Sequence, residues 1–323
     1  MKKHAILIFL AIMLLACAAR AADTVVARDG TVLTPRLEKT LPMDFGYLYD
    51  MDVPLEQTVD LEKETDLYKK YRVTYVSVND MTVPALLVVP KGDGPFPVLI
   101  FMNGKGGNKN DILPYADRLA SEGFAVFAAD PQYHGERRRA HRRINDRHLF
   151  IMVRAIRQTV LDYRRGIDFL LSRPEIKKDG ILYLGGSMGG IIGAVLCGVE
   201  TRINACVLTV AGGPWTDMAR KNPLDEDAAD MDAFRKENNL SWDDIQKILD
   251  PVDPINYIGL IAPRPVLMLN GKNDILVPVR STKKLFEAAN EPKEIRWLNY
   301  SHLLPYDELI PDILAWARDK LGL

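Results

Sequence analysis

The residues with the most chemical promise lie around Ser187. An apolar run, Ile181–Leu184, leads into Gly185-Gly186-Ser187-Met188-Gly189-Gly190, and an apolar helical pattern follows. The G-x-S-x-G spacing between a strand and a helix places the serine on a sharp turn that lifts its hydroxyl above the sheet. The glycines let neighbouring backbone pass without a Cβ clash. The same turn aims the Met188 N–H, at a helix N-terminus, toward the reacting atoms. A serine hydroxyl is a weak nucleophile on its own and needs a base poised near neutral pH, which imidazole supplies. The alternative is a serine that only caps its helix.

The elements needed to hold such a turn are present. Tyr71–Val78 alternates with a two-residue period, Asn79-Asp80 is turn chemistry, and Val83–Val89 is a second strand, so this pair reads as an antiparallel hairpin. The runs Val98–Met102, Ala125–Ala129, Ile181–Leu184, Ala205–Val210 and Val266–Leu269 are short and continuously apolar, the mark of strands covered on both faces. Amphipathic segments at Leu113–Glu122, Leu149–Leu171, Ile191–Cys197 and Thr282–Ala289 separate them, and Ile295–Leu298 and Asp307–Lys320 add a last strand and helix. The pattern predicts an α/β fold: a mostly parallel central sheet with an N-terminal antiparallel hairpin and helices on both faces. Residues 211–257 break the rhythm, are rich in Asp, Glu and Asn, and read as a short cap, with helices near Ala228–Lys236 and Trp242–Leu249.

With the strand–turn–helix context in place, the sequence from Tyr71 onward resembles an α/β-hydrolase. The Gly-Gly-Ser-Met-Gly-Gly turn and the short cap are most similar to the dienelactone hydrolase and acetyl-esterase neighbourhood. That resemblance implies a catalytic triad in the chain order serine, acid, histidine. Asp274, in Asn270-Gly271-Lys272-Asn273-Asp274, takes the position of the acid, and His302, in Tyr300-Ser301-His302 before the last helix, that of the base. Asp217, after the strand Ala205–Val210, is a rival acid, because some hydrolases place it there. His134, in Asp130-Pro131-Gln132-Tyr133-His134-Gly135, matches a turn in which the histidine is structural. The resemblance also implies an oxyanion hole formed by the Met188 N–H and a donor from the loop after Val98–Met102. Many relatives read His-Gly in that loop, but here it is Asn103-Gly104-Lys105-Gly106-Gly107, so the Lys105 N–H takes the role by position, with Gly104 as the fallback.

These features imply a serine esterase that cleaves carboxylic esters of short acyl groups, acetylated carbohydrate among them, through an acyl-enzyme on Ser187. Two alternatives remain. A serine peptidase of the prolyl-oligopeptidase type uses the same triad, although residues 22–70 are too few for that group's usual large N-terminal domain. A non-catalytic binding protein could have kept the fold, but it would have no need for all three triad residues.

Composition sets the remaining bounds. The 323 residues carry 42 Lys+Arg against 43 Asp+Glu, a formal net charge of -1, which gives no general attraction to nucleic acid. Apolar residues make up 47%, which argues against disorder. Lys2 and Lys3 precede an apolar run from Ala5 to Ala16, and Ala19-Arg20-Ala21 offers a cleavage site, so 1–21 reads as a signal peptide and the protein as exported, periplasmic or secreted. Leu14-Leu15-Ala16-Cys17 resembles a lipobox, and the alternative is a lipoprotein anchored through Cys17, the one route to a membrane. Residues 22–70 read as an N-terminal extension and 71–323 as the hydrolase domain. Cys197 and Cys206 sit in apolar runs as plain buried side chains. No Cys/His cluster has zinc-ligand spacing, and neither a metal nor a cofactor is expected. Six arginines between Arg137 and Arg147 face, in sequence, six carboxylates of the cap: Asp225, Glu226, Asp227, Asp230, Asp232 and Glu237. The plain reading is two solvated faces; the sharper one is a latch that holds the cap over the site.

Overall fold

Strand alternation inside the apolar runs decides where the layers go. The computed structural model describes residues 25–26, 32–33, 46–220 and 226–323. The signal-peptide and Cys17 expectations, and Asp225 of the cap, lie outside the described residues. The chain divides into two units, Met1–Phe45 and Gly46–Leu323. In the first, Val25–Val26 pairs antiparallel with Val32–Leu33.

The second unit holds one nine-stranded sheet. Its strands are β1 (Thr58–Glu64), β2 (Tyr68–Ser77), β3 (Met81–Pro90), β4 (Phe96–Met102), β5 (Ala125–Ala129), β6 (Ile176–Gly186), β7 (Ala205–Thr209), β8 (Val266–Gly271) and β9 (Lys293–Leu298). In space they run β9-β8-β7-β6-β4-β5-β3-β2-β1. From β4 to β9 every pairing is parallel. The β1–β2, β2–β3 and β3–β5 pairings are antiparallel. The expected hairpin is the β2–β3 pair. The sheet begins earlier than residue 71, because β1 adds an outer strand from within the segment read as an extension. Its sequence, Thr-Val-Asp-Leu-Glu-Lys-Glu, is almost wholly exposed. An edge strand with water on both faces has no apolar signature to read, and charged residues there also discourage pairing with other chains.

The central strands are buried on both faces, and alternate residues serve different cores. Val98, Ile100 and Met102 of β4 pack with Phe127, Ile181, Tyr183, Leu208 and Met268 in one core, against α2 (Leu149–Leu171) and α3 (Met188–Val199). Leu99 of β4 joins Val126, Leu182, Leu184, Val207 and Leu269 in the other, against α1 (Ala116–Ser121) and α8 (Tyr306–Leu321). This is the two-residue period of a strand expressed inside a run that looks uniformly apolar. The cap contains α4 (Trp215–Arg220), α5 (Glu226–Glu237) and α6 (Trp242–Leu249), followed by three 3₁₀ turns. Helix α7 (Val279–Ala288) follows β8. The six-residue α4 begins at the residue after Pro214 and, at under two turns, is too short to show a helical period.

The loop after β5 is held by buried charge. Asp130, with no exposed surface, accepts hydrogen bonds from the Lys109 N–H at 3.0 Å, Lys109 Nζ at 2.8 Å and the Glu136 N–H at 3.0 Å. Taken together these bonds balance a desolvated carboxylate. They fix the turn that carries His134 toward the loop after β4. Cys197 and Cys206 are both buried thiols, and burial pushes the Cys197 thiol well above its usual range.

Candidate active site

Ser187 adopts φ 54°, ψ -119°, in the left-handed half of backbone space that a non-glycine residue rarely enters. Such a residue costs about 1–3 kcal/mol and persists only where its surroundings over-determine it. Here the Ser187 N–H donates to the Thr209 carbonyl on β7 at 2.9 Å, and the Ser187 carbonyl accepts from the Ile191 N–H at 2.9 Å. Helix α3 buries all twelve of its residues and so cannot relax away. A Cβ on Gly189 would stand 2.1 Å from the Met102 carbonyl oxygen, so glycine is required where α3 presses on the end of β4. The Tyr183 hydroxyl donates to the Gly189 carbonyl at 2.6 Å from below.

The structure brings Ser187, His302 and Asp274 together. His302 Nε2 lies 2.8 Å from Ser187 Oγ, and His302 Nδ1 lies 2.8 Å from Asp274 Oδ2. The other carboxylate oxygen of Asp274 accepts from the Leu276 and Val277 N–H groups, each at 2.9 Å, which fixes the carboxylate plane. With a carboxylate at Nδ1, the proton of neutral imidazole sits on Nδ1 and Nε2 is left to accept from the serine. One glycine makes the His302–Asp274 approach possible. A Cβ on Gly271 would meet the Ser301 carbonyl oxygen at 2.1 Å and that of Tyr300 at 2.6 Å. The Asn273 N–H bonds the Tyr300 carbonyl at 3.1 Å, so the loops after β8 and β9 run against each other.

Asp217 is elsewhere. It lies on α4 and pairs with Arg280 at 3.0 Å and Lys284 at 2.6 Å. Gly104, Lys105 and Met188 line the same cavity as Ser187 and His302. A Cβ on Gly104 would come within 3.6 Å of the Ser187 Cβ. The loop carrying Gly104 and Lys105 is braced from β5. The Gly106 N–H donates to His134 Nε2 at 3.3 Å, while His134 Nδ1 lies 2.9 Å from the Gln132 carbonyl. Burial keeps His134 below its usual value, which favours the neutral ring that can accept from Gly106. Arg138 donates to the Gly106 carbonyl at 2.9 Å.

Of the six arginines, Arg143 and Arg147 reach the cap, whereas Arg137 and Arg138 do not. Arg137 turns inward to Asp162 at 2.7 Å, and Arg138 serves Gly106. Arg143 reaches Glu226 at 3.0 Å and Asp230 at 2.5 Å on α5, Arg147 pairs with Glu237, and Lys105 pairs with Asp227 at 2.7 Å. The Lys105 pair ties the cap directly to the loop beside Ser187; composition hinted at the charges, but sequence could not reveal that partner. The cap also supplies cavity wall at Trp215, Met218, Ala228 and Met231. The cavity is about 580 Å³ and is lined mainly by apolar side chains from both faces of the sheet.

A mostly parallel sheet, a serine on a strained strand-to-helix turn, and an acid and a histidine on later strand ends are the arrangement of the α/β-hydrolase fold. Residues 83–228 match the sequence profile of the dienelactone hydrolase family. It is similar to the putative hydrolase YtaP of Bacillus subtilis (strain 168), 27% identical over 217 residues, 62% of this chain and 69% of that protein. It is 33% identical over 138 residues to mitochondrial acyl-coenzyme A thioesterase 2 of Mus musculus, 42% of this chain and 26% of that relative's length. Among solved structures, Acetyl Xylan Esterase 1 from Thermoanaerobacterium sp. JW/SL YS485 superposes with a TM-score of 0.72 at 18% identity, covering 82% of this chain and 89% of that one. That likeness is one of fold.

Two outcomes follow from the geometry. Gly271→Ala should keep its helical circular dichroism but lose about 10²-fold in kcat on an activated ester, because a backbone shift of about 1 Å between the two loops misplaces His302; full activity would contradict the close-approach argument. Arg143→Gln should flatten the dependence of KM on salt between low ionic strength and about 1 M NaCl, where exposed pairs are screened within about 3 Å. A salt profile equal to wild type would remove the latch.

Proposed function

We propose that the protein is an exported serine esterase that hydrolyses carboxylic esters. What carries the reading is one chain of contacts, Ser187 Oγ to His302 Nε2 at 2.8 Å and His302 Nδ1 to Asp274 Oδ2 at 2.8 Å. Ser187 Oγ attacks the ester carbonyl as His302 takes its proton. The oxyanion is met by the Met188 N–H and the Lys105 N–H, with Gly104 as the fallback donor. His302 then returns the proton to the departing alcohol, leaving an acyl group on Ser187. A water deprotonated by His302 attacks the acyl-enzyme, and the carboxylic acid leaves. Asp274 holds the tautomer and stabilises the imidazolium.

Short acyl groups are the preferred acyl part, because the cap is small and tethered by surface charge rather than built as a long apolar flap. Acetylated carbohydrate is one class of such esters, and the fold shared with an acetyl xylan esterase is the reason to test it. Export is supported by Lys2, Lys3, the Ala5–Ala16 run and Ala19-Arg20-Ala21.

A fluorophosphonate probe should label Ser187, and p-nitrophenyl acetate should be hydrolysed. Ser187→Ala should lose at least ~10⁴-fold in kcat. No labelling would favour a binding protein, and amide cleavage without ester cleavage would favour a peptidase. When the full chain is expressed in a bacterial host, mass spectrometry of the mature N-terminus should find cleavage after Ala21. A diacylglyceryl Cys17 would make it a lipoprotein, and an intact Met1 would end the export reading.

A further inference from the structure

The wall around His302 bears on the identity of the departing alcohol; this inference rests on the ester-hydrolase reading. The leaving oxygen has to come within hydrogen-bond reach of His302 Nε2, the atom that returns its proton. The alcohol therefore begins beside His302. The cavity wall there consists of Leu303 and Leu304, its chain neighbours, and Leu276 and Val277 on the loop that carries Asp274. None of these four side chains can donate or accept a hydrogen bond. Leu303 is 82% exposed and Leu276 45% exposed, so a substrate seated there would cover apolar surface that is otherwise wet.

Each carboxylate lining the cavity already accepts a hydrogen bond from the protein. Asp111 accepts from the Asn108 N–H at 3.1 Å, and Asp146 from the His148 N–H at 2.9 Å. Asp227 is held by Lys105 at 2.7 Å and Asn145 at 2.9 Å. Against these four side chains a polyol leaving group would give up hydrogen bonds to water and find no partner among them. An alkyl or aryl alcohol would gain from the same surface. A volume of about 580 Å³ lies within the range of pockets that hold drug-sized ligands, so room is not limiting.

We propose that Leu276, Val277, Leu303 and Leu304 form a leaving-group subsite, and that the substrate is an ester of an apolar alcohol rather than of a sugar. The test holds the acyl group constant as acetate and varies the alcohol from methyl through butyl to hexyl, with a monoacetylated glucose alongside. A methylene half covered by the rim is worth about two-fold, and a fully buried one about four-fold. kcat/KM should therefore climb about two-fold per added methylene, with the sugar acetate well below hexyl acetate. Leu303→Asn should lower the hexyl-to-methyl ratio about five-fold. Leu260→Asn, at a 46% exposed leucine outside the cavity, should leave that ratio at the wild-type value. A flat alcohol profile, a preference for the sugar acetate, or an unchanged ratio in Leu303→Asn would overturn the subsite while leaving the esterase reading intact. Failure to cleave any ester would overturn both.

Discussion

The structure depends on one unfavourable backbone conformation. Ser187 is held at φ 54°, where a side chain is crowded, because its N–H and carbonyl are both committed and because α3 is wedged between the sheet and its neighbours. The chain accepts about 1–3 kcal/mol of strain there. In exchange, a hydroxyl stands at the head of the sheet at a fixed height, with the first N–H groups of a helix beside it. Gly189 allows the wedge, since no other residue fits 2.1 Å from the Met102 carbonyl. The rest of the fold brings an imidazole and a carboxylate to that fixed point.

Parallel strands make this convergence possible. β4, β6, β7, β8 and β9 all run the same way, so their C-terminal ends lie along one edge, and the loops that follow them meet there. Residues far apart in the chain, Lys105, Ser187, Asp274 and His302, become neighbours without any one loop having to be long. The two cores beneath them keep the strand ends in register. The cap closes the edge from outside, held by the apolar contacts of Ala228, Met231 and Phe234 and by exposed ion pairs, each worth little alone. Those ion pairs, unlike the apolar contacts, are open to screening by salt.

Much of this was legible in the sequence, for identifiable reasons. Leu149–Leu171 and Trp242–Leu249 are read to the residue, because their apolar periodicity is strong and their ends are abrupt. The continuous apolar runs give the central strands, though β6 extends well beyond Ile181–Leu184 on a polar N-terminal stretch. Strand β1 was invisible because nothing on it is buried enough to impose a pattern. In the site, Ser187 is announced by its glycines, and Asp274 and His302 by their position after strands. Chain order alone left Asp217 open as a rival, and its pairing with Arg280 and Lys284 is a tertiary fact. The braces were not legible: Gly271 against Ser301, His134 under Gly106 and Lys105 to Asp227 each depend on two loops meeting, which no local spacing encodes.

The most direct measurement is to trap the covalent intermediate. Turnover of a p-nitrophenyl ester by the wild-type protein is quenched in acid during the first seconds, and the digest is mapped by mass spectrometry. The account predicts one acyl group, on the peptide that contains Ser187 and at that residue. Ester hydrolysis that proceeds with no acylated peptide, or with the acyl group on a different residue, would contradict it.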